Sequence, residues 1–198
     1  MRCQVIVLNG GSSSGKTGLG RRLQAVLPQP WLLFGVDTLV DALPDALRGE
    51  QGIELRPDGS VVVNPGFAAV DAAWGHAMAE PARRGVRLII DEVFVSGPSS
   101  QARRREAPAG LPVGWVGVRC DPAVAAAREA ARGDRVTGMA REQAELVHRG
   151  VDHDLVVDTS AVTIDAAAEA VVAGLGLRDS DTTDSPGIGT GSPGGTSR

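Results

Sequence analysis

The chain has 198 residues, 42% of them hydrophobic, and a formal net charge of −4. That length suits one domain with a sizeable buried core. The acidic balance argues against electrostatic capture of nucleic acid or of an anionic membrane surface, and no apolar run is long enough to cross a bilayer.

In chain order, Cys3 to Asn9 is a short, mostly apolar run that predicts a buried parallel strand. It begins so early that no signal peptide is expected and the cytoplasm is the expected compartment. Gly10-Gly11-Ser12-Ser13-Ser14-Gly15-Lys16-Thr17 follows and matches G-x-x-x-x-G-K-[ST]. In that pattern backbone N–H groups cradle phosphates, the lysine reaches the β- and γ-phosphates, and the hydroxyl binds Mg²⁺. Lys16 is the lone lysine among 20 basic side chains. Leu19, Leu23, Val26 and Leu27 then keep a helical period until Pro28. Strand, glycine loop and helix together aim unpaired N–H groups at an anion.

Trp31 to Val36 predicts a second strand ending at Asp37, and Leu39, Val40 and Leu43 mark a helix after it. Residues 48–64 read as an excursion, with Pro57-Asp58-Gly59 turning a small hairpin between Ile53-Glu54-Leu55 and Val61-Val62-Val63. A helix is expected from Phe67 to Arg84, and Val86 to Asp91 is a buried strand closed by an acid. Residues 97–112 read as a Gly/Pro/Ser/Arg-rich loop with one helix at most, and Trp115 to Cys120 is the fourth strand. Asp121 and Pro122 open a helix running to Ala131, Gln143 to His148 reads as helical, and Leu155 to Asp158 is the fifth strand. A last alanine-rich helix covers 163–175. The domain is expected to end at 177. Residues 178–198, dominated by Gly, Ser, Thr, Pro and Asp, read as a disordered tail.

Alternating strands and helices imply an α/β fold with a parallel sheet and helices on both faces. Ligands of such sheets bind beyond the carboxyl ends of the strands, which gathers the 10–17 loop, Asp37, Asp91, Asp121 and the segment after 131 on one edge. Asp91 is expected to help hold Mg²⁺ beside Thr17. Glu92 either orients a water for hydrolysis or makes a structural hydrogen bond. Asp37 either accepts the proton of an attacking hydroxyl or caps the helix that follows, and the residue pattern supports both equally. Arg128 belongs to a helix, whereas Arg132 and Arg135 flank Gly133 and suit a lid that closes over a phosphoryl group. His76, His148 and His153 form no ligand cluster. Cys3 and Cys120 fall at opposite strand ends, ~17–20 Å apart, too far for a disulfide.

Val7 to Thr17, the run from Leu27-Pro28-Gln29-Pro30-Trp31 through Phe34-Gly35-Val36-Asp37-Thr38-Leu39 to Asp41-Ala42-Leu43-Pro44, then Ile89-Ile90-Asp91, Trp115 to Asp121 and Ala131 to Val136 together resemble the chloramphenicol 3-O-phosphotransferase family. The resemblance implies a P-loop NTPase of nucleoside-monophosphate-kinase type, with five parallel strands in the order 2-3-1-4-5. It further implies transfer of the ATP γ-phosphate to the primary 3-hydroxyl of chloramphenicol or a similar small alcohol. In that scheme Gly10, Gly11, Ser12, Ser13, Ser14, Gly15, Lys16 and Thr17 hold ATP. Thr17 and Asp91 hold Mg²⁺, Asp37 is the base, and Arg132 and Arg135 serve the lid. Phe34 and Trp74 are expected to line an apolar acceptor pocket. The chain departs from the family at Glu92, where an aspartate is expected, across 95–111, which borders the expected pocket, and in its tail. A kinase for another alcohol, or a regulatory protein hydrolysing ATP through Glu92, are the alternatives.

Overall fold

A computed structural model of the chain describes residues 3–132 and 137–178. Arg135 and the expected tail beyond Arg178 lie outside the described residues. In chain order the elements are β1 (Val5–Asn9), α1 (Lys16–Val26), β2 (Trp31–Gly35), α2 (Val36–Ala42), a 3₁₀ turn at Asp45–Leu47, β3 (Ile53–Leu55), β4 (Val61–Val63) and α3 (Pro65–Arg83). They continue as β5 (Arg87–Glu92), α4 (Pro98–Glu106), β6 (Val113–Arg119), α5 (Pro122–Arg132), α6 (Met139–Leu146), β7 (Leu155–Asp158) and α7 (Ile164–Gly174).

Five parallel strands lie in the order β2-β5-β1-β6-β7, which is 2-3-1-4-5 once the separate antiparallel hairpin β3–β4 is set aside. Side chains alternate across a strand, and β1 shows the consequence. Ile6 and Leu8 face one core with Leu19 and Leu23 of α1 and Val171 of α7, whereas Val5 and Val7 face another with Met78 of α3, Phe94 and Trp115. Burying each such side chain stabilises the fold by about 1.5–3 kcal/mol, which is why the central strand reads as an unbroken apolar run. A satellite cluster of Leu39, Leu43 and Phe67, with Ile53 and Val63 packed on it, joins α2 and α3 to the hairpin.

Several boundaries differ from those expected. Val36 starts α2 instead of ending β2, so Asp37 sits in the first helical turn. α3 begins at Pro65, a first-turn position where a missing N–H costs nothing. β5 runs one residue further, through Glu92, and α6 begins four residues before Gln143. Cys3, two residues before β1, and Cys120, just after β6, are both buried and unpaired.

Candidate active site

The carboxyl ends of β1, β2 and β5 open into one cleft of about 380 Å³. That volume lies within the range of small-molecule sites. Its root is Asn9, whose side chain donates to Val147 O (2.8 Å) and accepts from Phe94 N (3.0 Å), fixing the segments on either side of the loop. Any Cβ at Gly10 would lie 2.4 Å from Val118 O and 2.8 Å from Ser14 Oγ. Left-handed backbone at Ser13 (φ 56°) and Gly15 (φ 91°) curls the loop into an anion-sized concavity, and the buried Ser13 and Ser14 hydroxyls have no partner there. α1 starts at Lys16, directly behind this cradle.

Lys16 is 6% exposed; its Nζ donates to Gly11 O at 2.8 Å and lies 3.7 Å from Asp91 Oδ1. Thr17 Oγ1 donates to Asp91 Oδ2 at 2.6 Å. Among the described residues no cluster of three His, Cys, Asp or Glu side chains could enclose a metal. A Mg²⁺ at Thr17 and Asp91 therefore fits only if phosphate oxygens and water complete its shell, as this ion commonly requires beside nucleotides. Register pairs Gly35 of β2 with Asp91 of β5, which brings the first turn of α2, with Asp37, to the same edge. Asp37 is exposed and lines the cleft. The cap of α2 is Gly35, with no side-chain cap bond, so the capping role does not fall to Asp37.

Arg132, in the last turn of α5, is exposed and also lines the cleft. Arg128 instead donates from Nη2 to Thr159 O at 2.7 Å, and Thr159 Oγ1 donates to Ser14 O at 2.7 Å, so this pair braces the phosphate loop. Gln143 was not visible as a site residue in the sequence. Its Oε1 accepts from Ser12 N at 2.8 Å, tying α6 to the loop, and a lone amide in a short helix carries no signal of that contact.

The opposite half of the cleft is built by parts the sequence left unassigned. Val36, Val40, Ile53, Leu55, Val63 and Phe67 form an apolar wall, so the excursion at 48–64 supplies a face of the site. Phe34 and Trp74 do not line it. They meet edge to face, 6.5 Å apart, partly buried against the core that holds Met78, and Trp74 also packs against Leu39 and Phe67. The stretch 95–111 does border the cleft, through Ser100, Arg103 and Arg104.

Arg104 is buried between two carboxylates, with Nη2 at 2.5 Å from Asp71 Oδ1 and 2.8 Å from Glu92 Oε1. A side chain at Gly75 would meet that guanidinium at 2.5 Å, so the helix α3 leaves it a notch. Glu92 is pushed up to about 7, chiefly by burial, with Arg104 pulling the other way. Behind the loop, His148 is 6% exposed with both ring nitrogens unpartnered. Burial, and next the charge of Arg119, lower it to about 4. No helix among the described residues is long and apolar enough to cross a membrane.

Residues 3–175 match the family described as chloramphenicol phosphotransferase-like protein. A Mycobacterium tuberculosis protein provisionally assigned as an O-phosphotransferase is 30% identical over 176 residues, covering 81% of this chain and 77% of its own. The fold is shared with an unliganded sugar kinase from Janibacter sp. HTCC2649 (TM-score 0.68, 16% identity, 89% of this chain and 96% of that one). It is shared too with a gluconokinase from Sinorhizobium meliloti 1021 (TM-score 0.62, 19% identity, 88% and 91%).

Proposed function

Because the chain belongs to the chloramphenicol phosphotransferase-like family, we propose that it transfers the γ-phosphoryl group of ATP to the primary 3-hydroxyl of chloramphenicol. The chain is a small-molecule kinase of P-loop type. The observation that carries the reading is the joining of two halves in one cleft: Lys16, Thr17 and Asp91 at one end, and Asp37 beside an apolar chamber at the other. The 10–17 loop would hold the triphosphate through backbone N–H groups and Lys16. Thr17 and Asp91 would hold Mg²⁺, which when bound offsets charge on the phosphate oxygens.

Asp37 takes the proton of the acceptor hydroxyl as its oxygen bonds to the γ-phosphorus. The bond from that phosphorus to the β–γ bridging oxygen breaks, and ADP leaves with the electron pair. Arg132, with Arg135 as the second lid arginine, neutralises charge on the moving group. Alignment and charge stabilisation do most of the work, since phosphoryl transfer asks little covalent chemistry of a protein. Hydrolysis of ATP through Glu92 is the weaker reading, because Arg104 already engages that carboxylate.

The test is incubation of the purified protein with Mg²⁺-ATP and chloramphenicol, followed by mass spectrometry. One phosphate added to the drug for each ADP formed is expected, with turnover lowered about 10²–10⁴-fold in Asp37→Asn while ATP affinity is kept. Bound ATP without any phosphorylated drug would refute chloramphenicol as the acceptor, and an Asp37→Asn variant as fast as the wild type would remove Asp37 from the proton transfer.

A further inference from the structure

Two glycines on opposite halves of the cleft lack room for a side chain for the same reason, the helix α6. A Cβ on Gly11 of the phosphate loop would lie 3.0 Å from Gln143 C and 3.1 Å from Gln143 Cβ. A Cβ on Gly59, in the turn of the β3–β4 hairpin, would lie 2.5 Å from both Gly138 C and Met139 N. One eight-residue helix is thus seated against the loop that meets the phosphates and against the wall on the acceptor side. Met139 and Gln143, one turn apart on that helix, line the cleft between the two seats.

Hydrogen bonds fix the helix at both places. Glu129 of α5, 5% exposed, accepts at Oε2 from Gly138 N (2.8 Å) and at Oε1 from Ala140 N (2.7 Å). A carboxylate at a helix N-terminus is favoured by the dipole, and bonds to an ionised acceptor are roughly twice as strong as neutral ones. Further along, Gln143 is 4% exposed and its Oε1 accepts from Ser12 N. The hairpin, by contrast, forms a sheet of its own on the small cluster of Leu39, Leu43 and Phe67. Phosphoryl transfer needs the reacting atoms about 3–3.5 Å apart, and a misplacement of about 1 Å can cost on the order of 10²-fold. The spacing between acceptor wall and phosphate loop has to be set by something that touches both, and α6 touches both.

We infer that α6 is a strut between the phosphate loop and the hairpin, with Gln143 as the positioning residue at its loop end, so that nucleotide binding orders the acceptor wall. A triphosphate on the loop holds Ser12 in one conformation, Ser12 N holds Gln143, and the start of α6 then bears on the hairpin turn at Gly59. The inference rests on the reading of residues 10–17 as a nucleotide site, whichever alcohol is the acceptor.

The test is hydrogen exchange of the full chain, read by peptide mass spectrometry with and without Mg²⁺ and the non-hydrolysable analogue AMP-PNP, no alcohol being added. In the wild type, amides in residues 53–63 are expected to exchange about fivefold or more slowly once the analogue is bound. Gln143→Leu fills similar space without the acceptor for Ser12 N, and is expected to abolish that difference at an analogue concentration shown by calorimetry to saturate. Gln143→Glu keeps the acceptor oxygen and is expected to keep the difference. A side chain that merely stabilised the fold would change exchange equally in both conditions and leave their ratio unaltered. Gly59→Ala breaks the strut at its other end and is expected to lose the protection of 53–63 while residues 10–17 stay protected by the analogue. Hairpin exchange indifferent to bound analogue in the wild type, or a ratio that survives Gln143→Leu or Gly59→Ala, overturns the strut and leaves the nucleotide site standing. A wild-type chain that binds no analogue overturns the nucleotide reading, and the strut with it.

Discussion

Two buried groups titrate in opposite senses, and their effects on stability can be separated. Glu92 ionises near 4.5 in an unfolded chain but only near 7 in the fold, so the native state holds the extra proton between those values. Its contribution is fully present below pH 4.5 and is lost as pH rises through 7. His148 ionises near 6.5 unfolded and near 4 folded, so here the unfolded chain takes the proton. That contribution is fully present above pH 6.5 and is lost as pH falls toward 4. Between pH 5 and pH 7 each amounts to about 2 kcal/mol, with opposite sign, so each masks the other in the wild type. Glu92→Gln removes one slope and His148→Leu the other; leucine suits so buried a site. Urea unfolding at pH 5, 6 and 7 and constant ionic strength is the assay. Relative to wild type, Glu92→Gln should gain about 2 kcal/mol on going from pH 5 to 7, and His148→Leu should lose about as much. Variant profiles parallel to the wild type would refute the assignment of these two side chains as the buried titrating groups.

Gly10→Ala should lower affinity for a non-hydrolysable ATP analogue at least tenfold by calorimetry, and cost about 1–3 kcal/mol of stability, because its Cβ would sit on Val118 O and Ser14 Oγ. Asp91→Asn should raise the Mg²⁺ concentration for half-maximal activity by about tenfold or more, with ATP still bound, as read from a metal titration of the phosphorylation rate. Leu23→Ala, on the fully buried face of α1, should lower unfolding free energy by about 2–5 kcal/mol in urea with little change in acceptor KM.

What could be read from the sequence was what neighbouring residues determine. The 10–17 loop announces itself because strand, glycine turn, lysine and helix are contiguous, and a parallel sheet follows from apolar runs joined by crossovers, whereas the strand order came from the family resemblance alone. The acceptor half was opaque for the opposite reason. Asp71 and Arg104 meet across 33 positions of sequence, and Ser12 and Gln143 across 131. Neither contact leaves a periodic trace. Phe34 and Trp74 looked like pocket residues because large aromatics serve both cores and pockets, and only the placement of α3 decides between them. Val36 and Asp37 were read as the end of a strand and its terminal acid. The helix starts at once after Gly35, and that one-residue change alters which way an aspartate is presented.

The β3–β4 hairpin has no ladder in common with the five-stranded sheet, yet it provides a wall of the cleft. Its anchorage is the small cluster around Leu39, Leu43 and Phe67, apart from the cores on either side of β1. Mutations in residues 53–63 other than Ile53, Gly59 and Val63, which pack on α2, α3 and the start of α6, can therefore accumulate at little cost to the sheet, and selection on a new compound has a separable part to act upon. Exchanging this segment between related kinases should carry acceptor preference with it while leaving the nucleotide machinery as it was, a natural starting point for directed evolution of the scaffold.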